Sequence, residues 1–176
     1  MWRRVLSNRL PAATLACVVG CQSPNLISNG SFSQGSAPWG ATALVAGGAS
    51  RELETRLHDG ALCVTLPGQH ELILGWPTAG SPDQFSLAAG HRYQLSLRAS
   101  TTSAALACVA KVGHQLPPYT AVSVAPMALT PSFQAFQFPF TAAHDDDRAG
   151  VAVECRAAPG SADVDVCIDD VVFVAL

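Results

Sequence analysis

The chain has 176 residues, of which 13% are charged, and its formal net charge is -3. That balance argues against a basic nucleic-acid surface and against a polyanionic tail, so we expect no nucleic acid partner. A hydrophobic fraction of 49% is sufficient for one sizeable core.

Residues 1–20 have the layout of an export signal. Arg3 and Arg4 give a positive start, residues 10–19 are mostly apolar, and small residues precede Cys21. This layout resembles a bacterial lipoprotein signal, whose cleavage would leave Cys21 as the lipid-bearing N-terminus. A plain N-terminal helix and an ordinary secretory signal are the alternatives. The apolar stretch is far shorter than the roughly 20 residues that span a bilayer, which argues against a retained transmembrane helix.

The residue after the cysteine predicts the destination. Gln22 stands there rather than an aspartate, and in the Gram-negative sorting pattern that this resembles, such a residue favours the outer membrane. We therefore expect residues 21–176 to form a single domain in the bacterial cell envelope. Its contact with the membrane would be through the lipid anchor only.

The rest of the chain has the pattern of an all-β protein. Tyr93, Leu95 and Leu97 alternate with polar residues, as expected of a strand with one buried face. Polar and Pro-rich stretches at 113–118 and 142–149 are predicted loops. Nine short strands are predicted, near residues 26–32, 42–46, 61–66, 71–76, 92–99, 105–112, 134–141, 150–156 and 164–174. This number favours an antiparallel β-sandwich of jelly-roll type.

Four cysteines remain if Cys21 carries lipid, namely Cys63, Cys108, Cys155 and Cys167. An exported chain with an even number is expected to form two disulfides, and three pairings are possible. Strand phase places both Cys108 and Cys155 on apolar faces that point to the core. Free, buried thiols are the alternative.

Four segments resemble one known family. They are Asn-Leu-Ile-Ser-Asn-Gly-Ser-Phe at 25–32, Gly-Ala-Leu-Cys-Val at 60–64, Gly-His-Arg-Tyr-Gln-Leu at 90–95, and Cys-Ile-Asp-Asp-Val at 167–171. In this order they resemble the strands of a family 4 carbohydrate-binding module, the kind appended to bacterial endoglucanases. The resemblance implies a galactose-binding-like jelly roll, and a polysaccharide or oligosaccharide as the partner.

The resemblance also implies covalent and metal features. Family 4 modules often bridge the cysteines that correspond to Cys63 and Cys167, and the second pair is then Cys108 with Cys155. Related jelly rolls often hold a structural calcium near the first strand and the final aspartates. Ser33 stands where an acidic ligand is common, which lowers that expectation. No other cofactor is expected.

Ligand contacts are expected from aromatic and polar residues on the outward phase of the strands, because a sugar ring stacks on aromatics and its hydroxyls need hydrogen bonds. Tyr119 matches the Pro-Tyr turn in which the family's tyrosine contacts sugar. Trp76 is a second aromatic candidate, although its alternation with Leu72 and Leu74 also fits core packing.

Polar residues on the outward-facing side of the strands are further candidates for ligand contacts. Lys111, Glu154 and Arg156 lie opposite the core-facing cysteines, while His114 and Gln115 precede Tyr119 in the turn. Together they would offer donors and acceptors to hydroxyl groups. The alternative is that the three charged side chains form a solvated, salt-bridged face.

Catalysis has little support in the sequence. The carboxylates at 145–147 lie in a predicted polar loop, and Asp169 shares the phase of Cys167, Val171 and Phe173, as a structural residue would. Neither a Ser-His-Asp elbow nor a zinc protease motif is present. The sequence therefore predicts a non-catalytic, lipid-anchored glycan-binding module. A structural or protein-interaction lipoprotein with no glycan ligand is the alternative.

Overall fold

The computed structural model describes residues 23–44, 49–68, 70–76, 84–103, 106–158 and 160–176. Twelve strands occur among them: β1 Gly40–Leu44, β2 Ser50–Leu53, β3 Thr55–His58, β4 Ala61–Leu66, β5 Glu71–Trp76, β6 Phe85–Leu87, β7 Arg92–Thr101, β8 Leu106–His114, β9 Ala121–Met127, β10 Gln134–Thr141, β11 Asp146–Ala157 and β12 Val164–Ala175. In this part of the chain, no helix has the length and apolarity needed to cross a membrane.

The strands form two sheets in which every neighbouring pair is antiparallel. The first sheet has the order β2-β1-β5-β11-β8-β9, with β6 also pairing with β11, and the second has the order β10-β7-β12-β4-β3. Each sheet buries one side-chain phase against the other, which gives the predicted antiparallel β-sandwich.

Aliphatic and aromatic side chains fill the space between the sheets. Phe173 is fully buried and stacks on Phe85, with ring centroids 4.5 Å apart, and on Tyr93 at 5.6 Å. Burying each such side chain contributes about 1.5–3 kcal/mol. Phe136, Phe138 and Phe140 are only half-buried because β10 is an edge strand.

The predicted opening strand at 26–32 is wrong, because these residues form bends and turns. Asn29 and Phe32 have φ values of 51° and 54°, which a strand does not accommodate. The segment is nevertheless anchored to β12, since the amide of Val171 donates to the carbonyl of Gly30. A Cβ on residue 30 would collide with the Val171 carbonyl, so this approach requires glycine.

Four strands were not predicted: β2, β3, β6 and β9. Three of them are edge strands, and their mixed exposure obscures the alternation that marks a half-buried strand. β9 also contains Pro126, a residue that is tolerated at a sheet edge. The predicted loop at 142–149 is likewise too long, since β11 begins at Asp146 and buries that side chain.

An irregular register in β12 corrects the predicted phase of Asp169. The pairing with β7 shifts between Asp169 and Val172, so Ile168 faces the core before the shift and Phe173 faces it afterwards. Asp169 therefore shares the outward phase of Cys167 but not the phase of Phe173. Burial is the main reason that the pKa of Asp169 is raised above its usual value, and the neighbouring Asp170 carboxylate adds to it.

Each sheet contains one disulfide, which joins two neighbouring strands of that sheet and does not cross the sandwich. Cys63 bonds to Cys167 on the outer face of the second sheet, and Cys108 bonds to Cys155 on the core side of the first. Both pairs are directly opposite in register, with Cα atoms 4.1 Å apart. These are the pairs that the family resemblance implies.

Candidate functional site

The outer face of the first sheet carries three of the predicted ligand-binding residues, Lys111, Glu154 and Arg156, and we call it the open face. Its members have the opposite phase to buried residues such as Leu74 and Val153. Strand register arranges them in three rows that run across the strands. The rows are Thr42, Ile73, Glu154, Val109 and Pro126; Gly40, Gly75, Ala152, Lys111 and Val124; and Leu44, Glu71, Arg156 and Ala107.

The row that begins at Gly40 is made mostly of small residues. Gly40, Gly75 and Ala152 are consecutive neighbours across β1, β5 and β11, and we call them the small-residue strip. A Cβ on residue 75 would make only ordinary contacts, the nearest being 3.5 Å from the Val151 carbonyl. Backbone packing therefore does not require glycine there, and the small residues leave the sheet surface lower than in the neighbouring row of Thr42, Ile73 and Glu154.

One edge of the strip carries an ion pair. Lys111 Nζ lies 2.9 Å from Glu154 Oε1, and both side chains are about three-quarters buried. An ammonium group has three donors and a carboxylate has about four lone-pair sites, so neither group is saturated by this single contact. The pair can thus bind hydroxyl groups of a ligand while keeping its charges neutralised.

A second ion pair lies one row further. Arg156 Nη2 is 2.8 Å from Glu71 Oε2. The hydrogen bond to Glu71, followed by its charge, raises the pKa of Arg156 above its usual value. The predicted salt-bridged face is thus present, but its partner for Arg156 is Glu71, which the sequence analysis missed. Glu71 and Arg156 are direct cross-strand neighbours. The sequence does not give the register of β5 against β11, so it could not predict this pair.

Tyr119 lies at the end of the open face, in the β8–β9 loop of residues 115–120. Its side chain is 54% exposed and its φ is 54°, an unusual value for a bulky residue. The loop is held by hydrogen bonds from the Tyr119 amide to the Leu116 carbonyl and from the His114 amide to the Thr120 carbonyl. An exposed ring on an ordered turn is suited to stacking on a sugar.

The close approach of this loop depends on Gly113. A Cβ on residue 113 would lie 2.6 Å from the Thr120 carbonyl oxygen, so only glycine lets the loop fold back against β8. Gln115 takes part in the same packing, since its amide donates to the Arg148 carbonyl and its side chain to the Gly113 carbonyl. Gln115 therefore supports the loop more than it presents a free side chain.

Trp76 ends β5, and its backbone pairs with Val151. Its side chain lies outside the part of the chain that the structure describes, as does Cys21. The roles predicted for Trp76 and Cys21 therefore stay predictions.

The position suggested for calcium has a donor set that suits the ion poorly. The carboxylates of Asp169 and Asp170 each lie 3.5 Å from the guanidinium of Arg98, a cation that already balances them. Asn25 Oδ1, nearby in the opening segment, accepts from the backbone amides of Ile27 and Phe173. Calcium prefers six to eight oxygen ligands that are free to turn toward it, so we derive no function through calcium here.

Comparison with known proteins gives three results. A family described as a carbohydrate binding domain matches residues 24–161. A comparison with curated proteins found no match. Solved structures do match, at identities that show the fold alone, and the matching regions cover most of the sandwich.

Three of these structures illustrate the likeness. One, described as "CBM4 structure and function", is 24% identical, covers 82% of this chain and 99% of its own, and has a TM-score of 0.61. The second N-terminal cellulose-binding domain of Cellulomonas fimi β-1,4-glucanase C is 23% identical, covers 87% and 95%, and has a TM-score of 0.56. TmCBM61 in complex with β-1,4-galactotriose is 15% identical, covers 88% and 100%, and has a TM-score of 0.54.

Proposed function

Because this chain belongs to the family of carbohydrate binding domains, we propose that it is a non-catalytic module that holds a glycan across the small-residue strip. The observation that carries this proposal is a row of glycine and alanine beside the ion pair of Lys111 and Glu154. At 4.7–4.9 Å per strand, the row from Gly40 to Lys111 spans about 14 Å. That length suits an extended oligosaccharide lying across the strands.

The contacts proposed for the glycan follow from its chemistry. A pyranose ring has apolar C–H faces and a polar rim of hydroxyl groups, so it needs a flat partner and hydrogen-bonding groups together. Tyr119 supplies an exposed ring at one end of the open face. Lys111 and Glu154 supply donors and acceptors whose charges are already paired. Binding would therefore not require burial of an unpaired charge.

The sugars of first interest are β-1,4-linked. Two of the structurally similar domains are described as cellulose-binding and as bound to β-1,4-galactotriose. A panel for affinity electrophoresis should therefore begin with β-1,4-glucans and β-1,4-galactans, followed by xylan and bacterial polysaccharides. Residues 22–176 would be used, because they contain the whole sandwich. Retardation of the protein by one of these polymers is the expected result.

Substitution within the strip tests the location of the glycan. Gly75→Val places a branched side chain on the small-residue strip, and valine is well tolerated in strands. We expect retardation to fall by about tenfold or more, in line with the loss of a central contact. Gly75→Ala is the matched control, since its Cβ makes only ordinary contacts. Unchanged retardation of Gly75→Val, with its fold verified by circular dichroism, would show that the glycan does not cross the strip.

The alternative, a protein-interaction module, is favoured by one feature of the open face. Val124 is 55% exposed and lies in register beside Lys111, with Pro126 exposed further along β9. An exposed apolar edge of this kind suits a protein surface. If no polysaccharide retards the wild-type chain, this alternative replaces glycan binding.

The lipid anchor is a separate part of the proposal. We infer attachment at Cys21 and location in the bacterial outer membrane from the signal-like sequence of residues 1–22 alone. Cys21→Ser should abolish incorporation of labelled palmitate, because the thioether requires the thiol, and it should release the protein from membranes. Labelling that persists in this variant would refute the anchor while leaving the glycan site untouched.

A further inference from the structure

Three side chains at one end of the first sheet form a cluster outside the small-residue strip, and one of them is His114, which is among the residues predicted from the sequence to contact sugar hydroxyls. His114 is the last residue of β8, while Asp146 and Asp147 begin β11. One potential ligand atom from each lies within 4.8 Å of the other two. We propose that this cluster is a site for a divalent transition cation such as Zn²⁺, distinct from the open face and from the aspartates of β12.

Asp146 supplies the observation that points to a missing partner. Its side chain is 97% buried, since only 3% is exposed. Oδ1 accepts from the Arg148 amide at 2.9 Å and lies 2.8 Å from His114 Nδ1. Oδ2 of the same carboxylate is buried and has no hydrogen-bond partner among the described residues. A buried carboxylate oxygen without a partner is costly, so a bound cation would account for it.

The donor set selects the class of cation. One imidazole nitrogen and two carboxylates are ligands that Zn²⁺ accepts, at about 2.0–2.2 Å, and they leave a fourth position for water. Asp147 is exposed and can move the short distance that closes the cluster around an ion. Calcium is disfavoured because it takes six to eight oxygen ligands and has no preference for imidazole.

A cation bound by this cluster would also affect the structure around it. It would connect the end of β8 to the start of β11, next to the loop of residues 115–120. The Gln115 amide already donates to the Arg148 carbonyl across the same gap. A cation here would stiffen the base of the loop that carries Tyr119. The site itself does not depend on glycan binding.

Calorimetric titration of the metal-free full chain, in detergent and without an affinity tag, tests the site with ZnCl₂. We expect one Zn²⁺ per chain. Asp147→Asn should weaken binding about tenfold or more, because changes to the shell around a metal already cost 10–100-fold. Asp145→Asn is the matched control, since its carboxylate accepts from the Ala89 amide outside the cluster.

A second variant tests whether the loss of binding comes from the whole cluster and not from Asp147 alone. His114→Gln should also weaken Zn²⁺ binding about tenfold or more while preserving a polar side chain. Loss in both variants, with Asp145→Asn unchanged, supports the site. The proposal is overturned if the wild type shows no saturable Zn²⁺ binding, if either variant binds like the wild type, or if Ca²⁺ binds more tightly than Zn²⁺.

Discussion

The two outer faces of the sandwich differ in the size of their outward-facing side chains. On the open face, one row is glycine and alanine over three strands, and the Lys111–Glu154 ion pair lies beside it. On the outer face of the second sheet, which we call the closed face, Arg56, Thr65 and Asp165 form a connected network above the Cys63–Cys167 disulfide. Side-chain size on the outward phase, rather than charge, therefore distinguishes the face that can receive a ligand.

The charged side chains of the closed face stabilise the folded state. Arg56 Nη2 lies 2.7 Å from Asp165 Oδ2, and Thr65 Oγ1 donates to Asp165 Oδ1 at the same distance. Burial by itself would raise the pKa of Asp165, but the hydrogen bonds from Arg56 and Thr65 and the nearby positive charge outweigh it and lower that pKa. Arg56, Thr65 and Asp165 lie on three neighbouring strands, so their mutual hydrogen bonds hold the edge strand β3 to β4 and β12.

Removal of the Cys63–Cys167 disulfide should give the largest effect on stability. The two residues are 104 apart in sequence, and closing a loop of that length restricts the unfolded chain by about 4 kcal/mol. The double variant Cys63→Ser/Cys167→Ser should lose about that much free energy of unfolding in urea, yet keep its glycan affinity while folded. A variant as stable as the wild type would contradict the predicted contribution.

Tyr119→Ala should have the next largest effect, and on binding alone. Loss of a stacked aromatic should weaken glycan affinity by about 1–3 kcal/mol in calorimetry. The melting temperature should hardly change, because the ring is exposed. Leu57→Ala on the edge strand β3 is the matched control, since Leu57 is also exposed, at 46%. Equal affinities for the two variants would remove Tyr119 from the site.

Glu154→Gln should weaken binding less, by about 0.5–1.5 kcal/mol, since it removes a charged acceptor but keeps a polar side chain of the same shape. The same substitution leaves Lys111 without its partner at 2.9 Å, so a small loss of stability should accompany it. Calorimetry and thermal unfolding of one preparation would separate the two losses. Stronger binding by this variant would argue that the ion pair hinders the ligand.

Asp165→Asn should give the smallest effect and one that depends on pH. A carboxylate whose pKa is lowered on folding adds stability above its unfolded pKa, and that stability disappears as pH falls through the folded pKa. With a third of the side chain exposed, the expected loss at neutral pH is about 0.5–1 kcal/mol. The difference from wild type should begin to shrink as the pH falls below the ordinary value of 3.8, and it should vanish below the lowered pKa of the folded state. A loss that does not shrink as the pH is lowered would indicate packing instead of charge.

Strand alternation and the family resemblance predicted much of this molecule. The alternation of Tyr93, Leu95 and Leu97 predicted the core phase of β7, because alternation is a local pattern. The cysteine pairs join distant residues, and they were expected only because of the family resemblance. Register is not local. The pairing of Glu71 with Arg156 and the phase change after Asp169 depend on how distant strands align, which one strand's pattern does not contain.

The candidate site was predictable in part for the same reason. Phase alone placed Lys111 and Glu154 on one outward face, and the structure places them in contact. The small-residue strip was missed because it has no sequence motif: Gly40, Gly75 and Ala152 come from three strands and meet only in the folded sheet. The burial of Asp146 was missed because an acidic run is usually solvated.

Chemical-shift mapping is the most direct test of the claim that the open face holds the glycan. Amide spectra of the ¹⁵N-labelled chain would be recorded while adding a soluble oligosaccharide of the polymer that retards the protein. We predict that the largest shifts occur at Gly75, Ala152 and Lys111, with little change at Thr65 and Asp165. Shifts concentrated on Thr65 and Asp165, with the small-residue strip unchanged, would contradict the account.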